Sequence, residues 1–320
     1  MARLFATVLF FAFPLIASAA ILSSLPSLFL SLSPLHPVPG QPVIVTVKNV
    51  ADHPDGYAYI WSVDGQVVEQ GIGLMSITVR ASASGQASTV TVTAVAGNVP
   101  QESVSVVIRS ADVDLMYEGD TATPPFFGGR PLPNGQDAAR VFALPNIAQG
   151  GSAIPPSNLI YRWSVNGAYV PALSGYGKQS ANVVPPAFGS PFTVSLHVET
   201  KDGLVAAENQ TVIEPIEPSV VMYRKAPLLG ILLNSAVGEQ HGLEGDEVSF
   251  FAQPLYANTS GNLTYAWRVD GDVFEPNPEN PLVTTIKKIG SGRGSHSVEF
   301  SFENANKFLI HASKLFHLTF

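Results

Sequence analysis

One phrase, used three times, most constrains what this chain can fold into. It reads Tyr59-Ile60-Trp61-Ser62-Val63-Asp64-Gly65, then Tyr161-Arg162-Trp163-Ser164-Val165-Asn166-Gly167, then Tyr265-Ala266-Trp267-Arg268-Val269-Asp270-Gly271. These phrases hold all three tryptophans, which stand 102 and then 104 positions apart. That spacing is one domain length. Aromatic and β-branched residues alternate along each phrase, and Asp-Gly or Asn-Gly closes it, which is a strong short-range hairpin signal. The expectation is one β module used three times.

The repeat extends beyond the phrase. About thirty residues after each Trp lies an alternating segment: Thr89–Val95, Phe192–Val198 and His296–Phe302. A last strand is expected at Ser103–Ile108, Asn209–Ile213 and Lys314–Phe320, and an earlier one at Val43–Val47, Arg140–Leu144 and Glu247–Gln253. Lys201-Asp202-Gly203 reads as a hairpin turn. Met116-Tyr117 and Met222-Tyr223 open the second and third copies. The modules are therefore placed at 24–110, 111–215 and 216–320, each with roughly seven strands. No window of twelve residues shows a helical period.

Composition agrees. The chain carries 27 glycines and 26 prolines, only 13% charged residues and 46% apolar residues. Short strands joined by Gly/Pro-rich turns give that profile, and the apolar content excludes a disordered chain. The net charge of −8 leaves no electrostatic footprint for nucleic acid. No cysteine is present, which removes disulfides, thiolate metal sites and a cysteine nucleophile.

Alternation puts Tyr59, Trp61 and Val63 on one face of their strand and Ile60, Ser62 and Asp64 on the other. The Trp face points between two sheets, so Trp61, Trp163 and Trp267 are the expected core anchors. A Trp on the third strand between two sheets resembles the immunoglobulin-like plan. The stretch Tyr-x-Trp-x-Val-Asp-Gly is also similar to the polycystic-kidney-disease (PKD) module of bacterial surface proteins, although the Gly-Asp-Gly run usual there is missing. The expected fold class is all-β: three tandem Ig/PKD-like Greek-key β-sandwiches. The resemblance implies extracellular spacing, adhesion, or contact with polysaccharide or protein, and it brings no catalytic residue.

Residues 1–19 read as a signal peptide: Arg3 is the positive region, Leu4 to Ile16 the apolar stretch, and Ala17-Ser18-Ala19 the cleavage site. The rival is an uncleaved anchor, since Ile21 to Leu32 stays apolar, but Pro14 and the serines of 23–33 oppose it. An exported chain without cysteine fits a bacterial source.

Candidate chemistry is sparse. The seven histidines, His36, His53, His197, His241, His296, His311 and His317, form no zinc pattern in sequence. Gly290-Ser291-Gly292-Arg293-Gly294 reads as a strand-joining loop and not a phosphate cradle. Acidic residues gather at module ends, at Asp52 and Asp55, Asp112 and Asp114, Glu118 and Asp120, and Glu244, Asp246 and Glu247. They are read as solvated loops, with calcium at the junctions as the alternative. The most unusual loop, Thr123 to Gly135, holds two adjacent aromatics in a Pro/Gly frame. Extended, Phe126 and Phe127 cannot share one core, so one of them is a candidate contact residue, as are Arg130 and Tyr176. The alternative is packing against a neighbouring module. The apolar run Pro227 to Leu233 is a candidate interface between modules two and three. The terminal alternation Phe316, Leu318, Phe320 is similar to the end of an outer-membrane barrel, but the girdled ten-residue strands of a barrel are missing.

These readings converge on a non-enzymatic, exported chain, extracellular or in the cell envelope, with no cofactor and no resident metal. Its expected work is adhesion, spacing or envelope or appendage assembly, and its expected partner a protein or polysaccharide at the cell surface. The alternatives are a subunit that polymerises through strand edges and a secreted hydrolase.

Overall fold

The computed structural model describes residues 28–49, 56–97, 99–185, 189–260, 262–275 and 279–320. The expected signal peptide, together with Asp52, His53 and Asp55, lies outside the described residues.

The strands fall into three groups along the chain. The first holds β1 (Leu28–Ser33), β2 (Pro42–Asn49), β3 (Ala58–Val63), β4 (Gln66–Ile72), β5 (Ser76–Arg80), β6 (Ala87–Ala96) and β7 (Val99–Arg109). The second holds β8 (Asp112–Gly119), β9 (Ala139–Asn146), a minimal hairpin of β10 (Ala148–Gln149) and β11 (Ser152–Ala153), β12 (Ile160–Val165), β13 (Ala168–Tyr169), β14 (Gly175–Tyr176), β15 (Ser180–Val183), β16 (Phe192–Glu199) and β17 (Ala206–Ile213). The third holds β18 (Ser219–Ala226), β19 (Gly230–Ala236), β20 (Gln240–Gly242), β21 (Glu247–Leu255), β22 (Leu263–Val269), β23 (Asp272–Phe274), β24 (Val283–Lys287), β25 (Ser295–Asn304) and β26 (Lys307–Thr319). No α-helix occurs among the described residues.

Sheet order repeats from group to group. One sheet runs β1-β2-β5, then β8-β9-β15, then β19-β18-β21-β24. The facing sheet runs β4-β3-β6-β7, then β13-β12-β16-β17, then β23-β22-β25-β26 with β20 on its edge. The chain crosses between sheets after its second, fourth and fifth main strands, the pattern of a Greek-key sandwich. The short fourth strand pairs with the Trp-bearing third strand, whereas in constant-type immunoglobulin domains it joins the sheet of the first two.

Each group has its own core. Buried apolar residues form three large clusters, drawn from 28–108, 111–213 and 220–318, and a small fourth one of Tyr223, Phe251 and Val283 in the third group. Trp61 lies opposite Val92, Trp163 opposite Leu196 and Trp267 opposite Phe300. All three indoles are among the largest fully buried side chains. Each donates its Nε1–H to a backbone carbonyl 2.9 Å away: Leu74, Lys178 and Pro281 in turn. Each acceptor lies two residues before the fifth main strand of its sandwich. The indole thus fastens the crossover as well as filling the core, and its buried donor is satisfied.

The turns closing the phrases repeat as closely. Asp64-Gly65, Asn166-Gly167 and Asp270-Gly271 have φ near +50° and +80–90°, as a two-residue type I′ hairpin turn requires. In each, the side-chain Oδ1 accepts a backbone N–H from the sixth main strand: Thr89 at 2.7 Å, Thr193 at 2.9 Å and Ser297 at 2.8 Å.

Some details differ from expectation. The last strand of the third group begins at Lys307, not Lys314, because a tight turn at Asn304–Lys307 continues the β25 ladder into one long ribbon. That group also gains β19 and β20 within the connection between its first two main strands. The run Pro227–Leu233 is not an interface between the second and third sandwiches. It forms the β18–β19 hairpin at the end of the third sandwich remote from the second. Ile231 and Leu233 cover Tyr223, Phe251 and Val283 on their own sheet, while Leu228 and Leu229 stand in solvent.

Candidate functional site at the joints

The two joints of the second sandwich lie at opposite ends of its strands, since β8 and β9 pair from Asp112↔Asn146 to Gly119↔Ala139. Eight strand residues separate them by about 25 Å.

At the end facing the third sandwich, the 120–138 loop joins β8 to β9. Its feet are fixed. The Gly119 N–H donates to the Pro131 carbonyl at 2.8 Å, and the Thr121 hydroxyl donates to the Leu132 carbonyl at 2.7 Å. Gly119 is obligatory here: a Cβ would sit 2.6 Å from the backbone of Pro133. Across the joint, Ala122 bonds two consecutive residues: its N–H donates to Ala257 O at 3.0 Å, and its carbonyl accepts the Tyr256 N–H at 2.8 Å. Asn134 is fully buried. Its Nδ2 donates to Asp137 Oδ2 at 2.6 Å and to the Tyr256 carbonyl at 3.0 Å, while its Oδ1 accepts the Asp137 N–H at 2.7 Å. Asp137 is also buried and is paired with the Lys307 ammonium of the third sandwich. Gln136 Oε1 accepts the Leu309 N–H at 2.6 Å. The loop is a bolt between two sandwiches.

Its tip is free. Phe126 is 92% exposed at φ +60°, a conformation that a bulky side chain rarely adopts. Phe127 folds back across Gly129 and is 43% exposed. The two rings therefore do part company, one outward and one over the loop itself. Arg130 places its guanidinium 4.0 Å above the Tyr117 ring, a cation–π contact that holds the arm while leaving it exposed. Tyr176 is not part of this patch. It sits on β14 opposite Ile160, at the other end of the sandwich, 58% exposed and hydrogen-bonded to Asn158 Oδ1 at 3.2 Å. Three of the four candidate contact residues are thus together, and the fourth is not.

The joint to the first sandwich is as tight. Only Ser110 and Ala111 separate β7 from β8, and both are buried. The Ser110 hydroxyl donates to the Ser82 carbonyl, and Ala111 N–H to the Pro37 carbonyl. Gly151 N–H donates to Gly85 O at 3.2 Å, and Ser84 Oγ to Asn146 O at 3.1 Å. Gly85 (φ +83°) is required, because a Cβ would approach Ala148 Cβ to 2.7 Å.

This joint also assembles what sequence spacing concealed. His36, in the β1–β2 connection, reaches the outer face of β16 and β17, where His197 and Glu208 lie opposite each other. Donor atoms of the three side chains all fall within 4.8 Å of one another. Glu199 sits behind His197 and pairs with Arg162 at 2.6 Å. That charge-assisted bond from Arg162, with a second from His197, holds the Glu199 carboxyl below the usual glutamate range. No comparable trio of metal-binding side chains occurs among the described residues. Four of the acidic residues expected at module ends are engaged by neighbouring side chains: Asp112 by Asn146, Asp120 by Asn258, Glu244 by Arg224 and Glu247 by Lys287. The Gly290–Gly294 segment joins β24 to β25, as expected, and borders a cleft of about 450 Å³ with Phe274, Lys287 and Phe320.

No family model matches the sequence, and no curated protein matches it. Among solved structures, the chain is similar to the three N-terminal domains of the bacteriophage RB49 highly immunogenic outer capsid protein (Hoc), at 14% identity and TM-score 0.28, over 92% of this chain and 97% of that one. It is similar to fibronectin(III)-like modules of Clostridium thermocellum CbhA, at 10% identity and TM-score 0.29, over 58% and 94%. It is also similar to the central fibronectin-III array of RIM-binding protein, at 14% identity and TM-score 0.29, over 90% and 95%.

Proposed function

We propose that this chain is a non-catalytic, exported array of three Ig/PKD-like modules, at 24–110, 111–215 and 216–320, that holds a contact loop at a fixed position for adhesion, spacing or assembly at a cell surface. The observation that carries the reading is the anchoring of the 120–138 loop. Its feet are locked by Asn134, Asp137 and the third sandwich, while Phe126 is turned into solvent. A pre-positioned exposed aromatic beside an arginine has the composition of an interface hot spot. Rigid feet reduce the ordering cost of binding. The partner class is a protein or a polysaccharide with a face for aromatic contact.

The test is binding of the purified chain to whole cells and envelope fractions. A Phe126→Ser, Phe127→Ser, Arg130→Ser variant is expected to lose at least tenfold in affinity with unchanged circular dichroism, while Tyr176→Ser alone leaves binding intact. Unchanged binding by the triple variant removes the loop from the account.

A second reading has one observation in its favour. Edge strand β4 exposes Val67, Val68 and Ile72, with Glu69 as its one charge. An unblocked apolar edge invites pairing with another strand, here that of a second copy. Concentration-dependent growth in size-exclusion chromatography, abolished by Val68→Lys, would favour it. A monomer at all concentrations would dismiss it.

A further inference from the structure

We propose that His36, His197 and Glu208 bind one divalent ion of the zinc class, which ties the first sandwich to the second across their joint. The three side chains come from both sides of that joint. His36 belongs to the first sandwich and lies next to Pro37, whose carbonyl is held by the Ala111 N–H. His197 and Glu208 face each other on neighbouring strands of the second, a pairing set by the β16–β17 register.

The geometry suits the ion. His197 Nδ1 lies 2.8 Å and His36 Nε2 lies 4.0 Å from the same Glu208 oxygen. Donors about 2.0–2.2 Å from a tetrahedral ion stand roughly 3.3 Å apart, so the observed spacings bracket the required one. The imidazoles meet edge to face, with centroids 5.3 Å apart and planes at 74°, so both can aim a nitrogen at one point. His36 and His197 are about a quarter exposed and Glu208 more than half, so sub-ångström shifts meet no packed core.

The surroundings also suit it. A metal-bound histidine normally donates its other ring N–H to a carboxylate. His197 Nε2 lies 3.1 Å from Glu199 Oε2. Glu199 is in turn fixed by Arg162. Two imidazoles and one carboxylate match zinc, cobalt, nickel or copper, and not calcium, which takes oxygen ligands alone. His197 and Glu208 border an open groove of about 600 Å³ on the outer face of β12, β16 and β17, from which water can complete the shell. Three protein ligands from two sandwiches would add a cross-link to a joint already short of slack.

The experiment uses the full chain without residues 1–19, stripped with a chelator and titrated with Zn²⁺ by calorimetry and with Co²⁺ by visible absorption. The expected result is one tight site per chain with the intense bands of tetrahedral cobalt. His36→Ala, at a partly exposed position, and Glu208→Gln, at an exposed one, should each weaken it at least tenfold, and Glu199→Gln by about 10–100-fold. X-ray scattering should show a narrower distribution of shapes on Zn²⁺ addition to the parent chain and no change in His36→Ala. Lack of uptake by the parent chain overturns the proposal. So does uptake that His36→Ala and Glu208→Gln leave unchanged, because the ion would then reside on other histidines.

Discussion

Trp163 donates its indole Nε1–H to the backbone carbonyl of Lys178 at 2.9 Å, tying the third main strand of the second sandwich to the crossover that enters the fifth. Trp61 with Leu74 and Trp267 with Pro281 repeat the bond. Trp163→Phe keeps much of the apolar contact and removes the donor. Leaving that carbonyl unpaired should cost about 1–3 kcal/mol, against about 3–5 kcal/mol for Trp163→Ala. Denaturant unfolding of the two variants checks the ranking. Equal losses would mean that the hydrogen bond contributes nothing.

The Asn166 turn separates two roles that one residue holds. Its φ of +48° favours a left-handed conformation, and its Oδ1 accepts the Thr193 N–H. Asn166→Gly preserves the first role and loses the second, so it should destabilise by about 0.5–1.5 kcal/mol. Asn166→Val loses both and should destabilise further. Thermal melts of the pair decide whether backbone strain or the side-chain bond matters more.

Tyr161 makes an alkaline prediction. Burial pushes its hydroxyl up to about 12, while its proton is donated to the Pro156 carbonyl at 2.8 Å. The folded-state value exceeds the unfolded value of about 10, so the stabilisation is complete below pH 10. It is lost as the pH rises from about 10 to about 12 and amounts to on the order of 2–3 kcal/mol. Urea midpoints measured from pH 8 to 11.5 should fall less steeply in Tyr161→Phe than in the parent chain.

What the residues disclosed by themselves follows from the range of the forces involved. The Trp phrase was readable because strand alternation and Asn-Gly turn chemistry act within seven residues. The outward turn of Phe126 was foreshadowed by its pairing with Phe127. Asn134 and Asp137 looked like ordinary loop polar residues, since their burial depends on Tyr256 and Lys307 more than a hundred positions away. Pro227–Leu233 looked like an interface because its covering partners, Phe251 and Val283, belong to other strands of the same sheet and lie outside the run itself. His36, His197 and Glu208 share no spacing, and the register of β16 with β17 and the first joint bring them together.

Lys307 tests the second joint. Lys307→Met leaves the buried Asp137 carboxylate without its cation, so the variant should lose about 3–5 kcal/mol. Asp137→Asn combined with Lys307→Met should recover much of it. Calorimetry on the full chain is expected to show the loss in the transition shared by the second and third sandwiches. A transition unchanged by Lys307→Met would mean that the joint is solvated.

Hydrogen exchange at the three indole nitrogens is the most direct test of a Trp-anchored unit repeated in series. Three slow indole protons are expected, each protected to within about tenfold of the amides of Val92, Leu196 and Phe300 opposite them, because opening the bond requires parting the sheets. Exchange of any indole proton on the seconds timescale, while those amides stay protected, would contradict it.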